Sequence, residues 1–209
     1  MPENYPLTLP SVSGIARVRL IARDAIGVTE SPFTFTQQVF RNQGQRWEAD
    51  ISLPPMTRAN AEEWASFLLR LRGRFGTFLL GDPANETPRG SAGLTPGTPV
   101  VDGAGQSGDT LDISGLPISI NGYLLAGDYI QVGAGATARL HKVLQNVNSD
   151  GAGKATVNLW PAIQSNPLDG SAIGVTNARG NFRLASNETS WDISTARIYG
   201  ITFGAIEAL

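Results

Sequence analysis

Hydrophobic and polar residues alternate most regularly between Arg46 and Leu53, where Trp47, Ala49, Ile51 and Leu53 point one way and Arg46, Glu48, Asp50 and Ser52 the other. A period of two belongs to a strand buried on one face. Pro54 and Pro55 stop it. Downstream the period changes: Ala61, Trp64, Ala65, Leu68 and Leu71 recur at three- and four-residue spacing, which predicts an amphipathic helix over 57–72. Thr57 stands where an N-cap hydroxyl is wanted, Glu62 and Glu63 come early, and Arg70, Arg72 and Gly73 close the helix,. Phe75 to Leu80 is apolar almost throughout and ends at Gly81-Asp82-Pro83, a turn signal. The stretch therefore reads as strand, helix, strand, the core of a first domain.

The same reading extends along the chain. Ile15 to Ala25 alternates as a strand, Asp24-Ala25-Ile26-Gly27 looks like a turn, and Phe33 to Phe40 follows as another strand, which gives three meandering antiparallel strands before the helix. From Asn85 to Gly108 the composition shifts to Gly, Pro, Thr, Ser and Ala, the profile of a loop or of short, irregular strands, and the best boundary in the chain. Thr110–Ile113, Ile118–Ile120, Asp128–Val132, Ala138–Val147 and Ala155–Trp160 then predict short strands of a small barrel or sandwich,. Arg139–Asn146 and Lys154–Leu159 bracket Ser149-Asp150-Gly151-Ala152-Gly153 as a hairpin,. From Gly180 the first style resumes with Asn181–Ala185, Ser190–Ser194 and a final strand, Arg197 to Ile206. A terminal strand with so much apolar content is expected to dock in the first sheet. The predicted organisation is a domain of residues 1–82 and 180–209 with 83–179 inserted.

Composition narrows the function classes. The chain has 209 residues, 41% of them hydrophobic and 16% charged, enough for one large or two small cores,. Its formal net charge of −2 comes from interspersed acids and bases, so no basic field is present to hold nucleic acid or an anionic membrane. With no cysteine, disulfides, thiolate chemistry and sulfur-ligated zinc are excluded. The opening MPENYPLTLPSVSG has neither a basic n-region nor an apolar run, so a soluble protein without a cleaved signal or membrane insertion is expected.

No set of residues reads as a catalytic constellation. His141 is the sole histidine and has no nucleophile motif nearby, so a structural role outweighs a triad. Gly103-Ala104-Gly105-Gln106-Ser107-Gly108 matches G-x-G-x-x-G as a string, but no helix follows it, and Gly133-Ala134-Gly135 lacks the lysine of a phosphate loop,. Asp82, Asp128 and Asp150 each adjoin Gly or Pro or sit in a turn, and turn chemistry explains them. Trp47 and Trp64 fall on apolar faces, leaving Tyr123, Tyr129 and Trp160 as aromatics for a sugar-binding surface. Asn187-Glu188-Thr189 is a formal sequon of little weight without a signal peptide, and Glu62 and Glu63 read as a solvated helix start. No catalytic, cofactor-binding or metal-binding residue is nominated, and no cofactor is expected.

The stretch RWEADISLPPMTRANAEEWASFLLRLRGRFGTFLLGDP, with AGDYIQVG, ATVNLWPAI, NFRLASN and the closing WDISTARIYGITFGAIEAL, resembles the distal tail and tail-tip proteins of long-tailed, siphovirus-type bacteriophages. The resemblance spans most of the chain and rests on structural strings. It implies a non-enzymatic virion protein of the tail tip, made in the host bacterial cytoplasm. It also implies a ring, usually of six copies, that joins the tail tube protein to the hub and to receptor-binding or fibre proteins. The familiar outer domain often follows the ring domain, whereas here it is expected between Pro83 and Gly180. The combined expectation is a mainly β chain: a β-sandwich-like ring domain with one α-helix, and an inserted small β-barrel or OB-like domain. A carbohydrate- or receptor-binding module of the tail tip, and less so a tail-associated hydrolase, are the alternatives.

Overall fold

The computed structural model describes residues 3–12 and 14–209; the parts of the N-terminal reading that fall on Met1, Pro2 and Ser13 lie outside it. In chain order the elements are β1 (Arg17–Glu30), β2 (Gln37–Ser52), α1 (Arg58–Arg70), β3 (Phe78–Leu80), β4 (Val100–Val101), β5 (Gly108–Ser114), β6 (Tyr129–Val132), β7 (Arg139–Val143), β8 (Ala155–Ile163), β9 (Ile173–Gly174), β10 (Gly180–Leu184), β11 (Trp191–Ile193) and β12 (Tyr199–Glu207). The fold is mainly β, with a single α-helix among the described residues.

Two sheets organise it. The first runs β1-β2-β12-β10-β3, with β11 also on β12; the second runs β4-β5-β8-β7-β6-β9. A bridge between Val100 and Ala172 joins the second sheet's two ends, reinforced by Val101 N–H to the Ser171 carbonyl and Ile173 N–H to the Pro99 carbonyl. The second sheet is thus a nearly closed, barrel-like sheet whose end strands meet at that bridge,. Its strands come from residues 100–174, between the β3 and β10 that pair with each other in the first sheet.

The alternation in the sequence reappears as one apolar face of the first sheet. Trp47, Ala49 and Ile51 of β2 lie beside Ala205 and Phe203 of β12, followed by Phe182 and Leu184 of β10 and Phe78 and Leu80 of β3. Helix α1 covers this face with Ala61, Trp64, Phe67 and Leu68, and ring contacts of 6.2 Å from Trp64 to Phe203 and 5.7 Å from Phe67 to Phe78 seat it. The opposite face carries an ion-pair ladder: Arg23 to Glu48 at 2.7 Å, Arg46 to Glu48 at 2.7 Å and Arg19 to Asp50 at 3.7 Å. The barrel has its own core of Leu111, Ile113, Ile130, Val143, Val157 and Leu159.

Three local expectations are corrected. Asp24 to Gly27 is no turn: β1 continues through it with a register shift between Asp24 and Ile26, and Gly27 lies across from Phe40. The chain reverses at Ser31–Thr36, closed by Ser31 N–H to the Thr36 carbonyl and Phe35 N–H to the Ser31 carbonyl. The three-strand meander is therefore one hairpin of 14- and 16-residue strands, because a bulge can absorb a short polar interruption that reads locally as a turn. Thr57 holds the N-cap position, yet its hydroxyl caps nothing; Glu62 lies beyond the first turn and pairs with Arg58 at 3.1 Å. Ile118–Ile120 forms no strand, and Ser119 adopts a positive φ of 55°. The 85–108 stretch combines loop with the short strand β4, as its composition allows, and it is tethered: Ala92 is fully buried, and Ser91 and Ala92 bond to the carbonyls of Gly122 and Tyr123.

Two outcomes follow. Leu68→Ala, at a fully buried site of α1, is expected to cost ~2–5 kcal/mol, read as a lowered urea midpoint at unchanged slope; an unchanged midpoint would mean that the helix face is not packed on the sheet. Limited chymotrypsin digestion should cleave first at the hairpin tip, where Phe33 is 92% exposed and Phe35 73%, before any cut in 85–108. A first cut in 85–108 would contradict the tight tethering of that segment.

Candidate functional site

The nominated polar residues do not converge. Asp82 accepts the Ala84 N–H at 2.9 Å, and Asp150 accepts those of Ala152 and Lys154, each at 2.8 Å; the latter bonds hold the Asp150 carboxyl below the ordinary aspartate range. Both are turn residues, as their surroundings in the sequence imply. Asp128 is more than that. It is wholly buried and accepts the N–H groups of Arg89, Gly90 and Leu125, so its carboxylate ties the 85–90 segment to the start of β6. Gly103–Gly108 forms a loop braced by Gln106, whose amide reaches the Asp102, Gly103 and Asp112 carbonyls. Asn187 accepts the Arg74 N–H. No group of three or more His, Asp or Glu among the described residues is arranged to hold a metal ion.

The aromatic reading also changes. Tyr123 and Tyr129 are buried. Trp160 stands edge-on to Trp47 with ring centroids 4.5 Å apart, and its indole N–H donates to Asp24. Tyr129 and Trp160 therefore join the two sheets, Tyr123 belongs to the barrel core, and the three offer no stacking platform. Trp47 lies at the centre: its Nε1–H donates to the Leu140 carbonyl at 2.8 Å, its backbone N–H donates to Glu207 at 3.0 Å, and its ring meets Tyr129 at 5.9 Å. Gly180 permits this approach, since a Cβ there would lie 2.9 Å from the Leu140 Cβ.

Beyond that junction the hairpin continues alone. In the body of the first sheet the odd positions of β2 face the core, and the same parity carries on outward through Gln45, Arg41 and Val39, which pairs with Val28 next to Ile26. Past Arg41 nothing among the described residues covers that face: Ile26, Val28 and Val39 are each more than half exposed. Phe40 is exposed on the reverse side, and Phe33 and Phe35 crown the tip. The base, by contrast, is held firmly. Gln45 donates to Asp24 at 2.6 Å, accepts the Ala162 N–H at 2.7 Å and takes a further bond from Gln164 at its own carbonyl, while Arg41 makes a two-pronged bond to Asp109 at 2.8 and 2.9 Å. The outer edge of β1 has no strand partner among the described residues, whereas the far edge of β3 is covered by Leu7 through the Thr77 carbonyl. The structure thus presents a braced, projecting arm with an uncovered apolar face and an open edge. From the sequence, Ile15–Phe40 and Arg197–Ile206 are equal candidates for an edge; the second lies inside the sheet as β12, and the first is broken at Gly27, whereas the usable signal is Ser31-Pro32 between two β-branched and aromatic runs.

The buried ionisable groups lie at the sheet junction. Burial pulls His141 down to about 4, so the ring is neutral near neutral pH, although its bond to the Pro161 carbonyl opposes the shift. Burial pushes the Glu207 carboxyl above the ordinary glutamate range, against the Trp47 N–H and the charge of Arg139. No helix among the described residues is long and apolar enough to cross a membrane. Comparison with known proteins adds no relative: no family model and no curated protein matches the chain.

A pH dependence follows from His141. Its folded value of about 4 lies below the ~6.5 of an unfolded histidine, so the unfolded state binds more protons between these values. Stability is full above ~6.5 and falls as pH drops toward 4, by roughly 3 kcal/mol for this group. Glu207, raised in the fold, works in the opposite sense: it destabilises as pH rises above the ordinary glutamate value,. Urea midpoints measured from pH 7 to pH 4 should therefore fall, and the fall should flatten in His141→Asn; an equal slope in both proteins would refute a buried neutral histidine.

Proposed function

We propose that this protein is a structural component of a phage tail tip, a distal tail protein whose copies form a ring between the tail tube and the hub with its receptor-binding proteins. The observation that carries the reading is the arm. Ile26, Val28 and Val39 on one face, continued by Phe33 and Phe35 at the tip, leave on the order of 600 Å² of apolar surface open, taking ~150–250 Å² for a whole aromatic side chain, and Phe40 adds exposed area on the reverse side,. That is at the upper end of the ~300–600 Å² of the largest patch on a typical monomer, and a stable partner contact needs ~800 Å² from each side. The open edge of β1 adds unpaired backbone groups along the same element,.

A subunit that closes a ring by rotation must present two different patches, one of which reaches out and one of which receives. A projecting hairpin held at its base suits the first task, because bracing by Asp24, Gln45 and Arg41 removes ordering cost before contact,. The resemblance of Arg46–Pro83 and of the closing strand to tail-tip proteins supplies the rest of the reading, including six copies and the tube and hub as neighbours. A sugar-binding module built on Tyr123, Tyr129 and Trp160 is less well supported, since two of these are buried and the third packs on Trp47. A hydrolase is less well supported too, since Asp82, Asp128 and Asp150 each serve a separate stretch of backbone.

Purified protein should form a closed oligomer by native mass measurement and a ring in negative stain. Val28→Asp and Phe33→Asp should leave folded monomers and fail to complement a tail-defective phage, while Asp82→Asn should complement. If both arm variants assemble like the parent, the arm is not the subunit contact. If folded, assembled Asp82→Asn loses infectivity, the structural reading falls in favour of an enzyme.

A further inference from the structure

At the junction of the two sheets a cavity of about 300 Å³ is lined by Arg139 and His141 of β7, the end of β8 with the following Gln164–Leu168 segment, and Glu207 of β12. Its size is at the lower end of the ~300–1,000 Å³ usual for small-molecule sites. Two of its polar side chains are almost fully buried, His141 and Glu207, each at 5% exposure. Both use only part of their bonding capacity on the protein. His141 Nδ1 lies 2.7 Å from the Pro161 carbonyl, which can only accept, so Nδ1 carries the proton and Nε2 is left as an acceptor,. Glu207 receives the Trp47 N–H on Oε2. Neither His141 Nε2 nor Glu207 Oε1 has a partner among the described residues, and neither is sealed in protein as Asn85 Oδ1 and Asn181 Oδ1 are. Arg139 spends one nitrogen on the Ala208 carbonyl and keeps its other donors.

We infer that this cavity is a binding site for a small, neutral, hydroxyl-rich molecule of the size of a sugar unit. The wall offers two acceptors beside a donor-only guanidinium, which is the complement of neighbouring hydroxyls that each donate one hydrogen bond and accept another. Among the lining side chains the arginine and glutamate charges oppose each other and the histidine is neutral, so the side chains carry no net charge with which to hold an anion or a cation,. Ile163, Pro167 and Leu168 supply the apolar side that receives C–H surface. Burial sharpens the preference: acceptors withdrawn from water and left unmatched cost free energy, and a ligand donating to them recovers it. The site lies at the base of the molecule's junction and uses no residue of the arm, so it stands or falls independently of the assembly role.

The test is calorimetric titration of the full chain with D-glucose, D-mannose and N-acetyl-D-glucosamine, with acetate and L-lysine as charged controls. At least one neutral sugar should bind saturably and the charged probes should not. His141→Asn keeps an amide N–H for the Pro161 carbonyl but removes the Nε2 acceptor, and should weaken binding roughly tenfold, the loss of one hydrogen bond. Leu168→Trp, at a rim position 78% exposed, should block the mouth without touching the polar wall. It decides the matter if His141→Asn does not fold. Phe33→Asp should bind like the parent. Absence of binding by all three sugars, preference for acetate or lysine, or unchanged affinity in the folded cavity variants would each overturn the assignment.

Discussion

The structure depends on how Trp47 is held. One side chain donates to a carbonyl of the barrel, stands edge-on to one barrel aromatic and tilts against another, while its own backbone is bonded to the carboxylate of the last strand. An indole buried with its N–H satisfied supplies a large apolar contact and a directional bond together. Without that bond the Leu140 carbonyl would be left in the junction unpaired, at a cost of ~1–3 kcal/mol. Because Tyr129, Leu140 and Trp160 join the cluster of the first sheet and helix, the barrel is packed on the first sheet and does not hang from a tether.

That packing has a consequence for the arm. β2 passes from the helix-covered core, across the junction at Trp47 and Gln45, and, after a bulge between Gln45 and Arg41, out into solvent within one strand. A strand fixed over half its length carries direction into the half that projects. The barrel contributes the brace, through Ala162, Gln164 and Asp109, and its own first and last strands meet at one bridge. The long unpaired edge of the molecule therefore lies on β1, next to the apolar residues that lack a cover. Exposed ion pairs such as Arg41 with Asp109 are worth little individually; here the geometry matters more than the energy, because the pair sets where the arm leaves the barrel.

The junction is also where polar groups are withdrawn from water. Asp128 meets three backbone N–H groups and is well matched. His141 and Glu207 are matched on one side only. Their opposite responses to pH arise from the same cause, since burial favours the neutral form of both a base and an acid,.

Local periodicity by itself determined the elements whose neighbours are set by one face: Trp47 to Leu53 as a half-buried strand, the helix stripe of Ala61, Trp64, Ala65 and Leu68, the closing strand, and hence a mainly β chain with one helix. These follow from a side-chain period of two or 3.6 and need no knowledge of the partner. Tertiary structure decided what periodicity cannot carry. Whether Asp24 to Gly27 turns or runs straight depends on which residues lie opposite, and Phe40 and Arg41 hold it in the hairpin while β2 takes up the extra residues between Arg41 and Gln45. Whether Tyr129 and Trp160 face solvent depends on Trp47, more than 80 positions away in sequence. Barrel closure depends on Val100 meeting Ala172, and the half-matched pair at the junction depends on β7 and β12 arriving at one place. Each is a contact between distant segments, and the pattern within either segment is the same whether or not the contact forms.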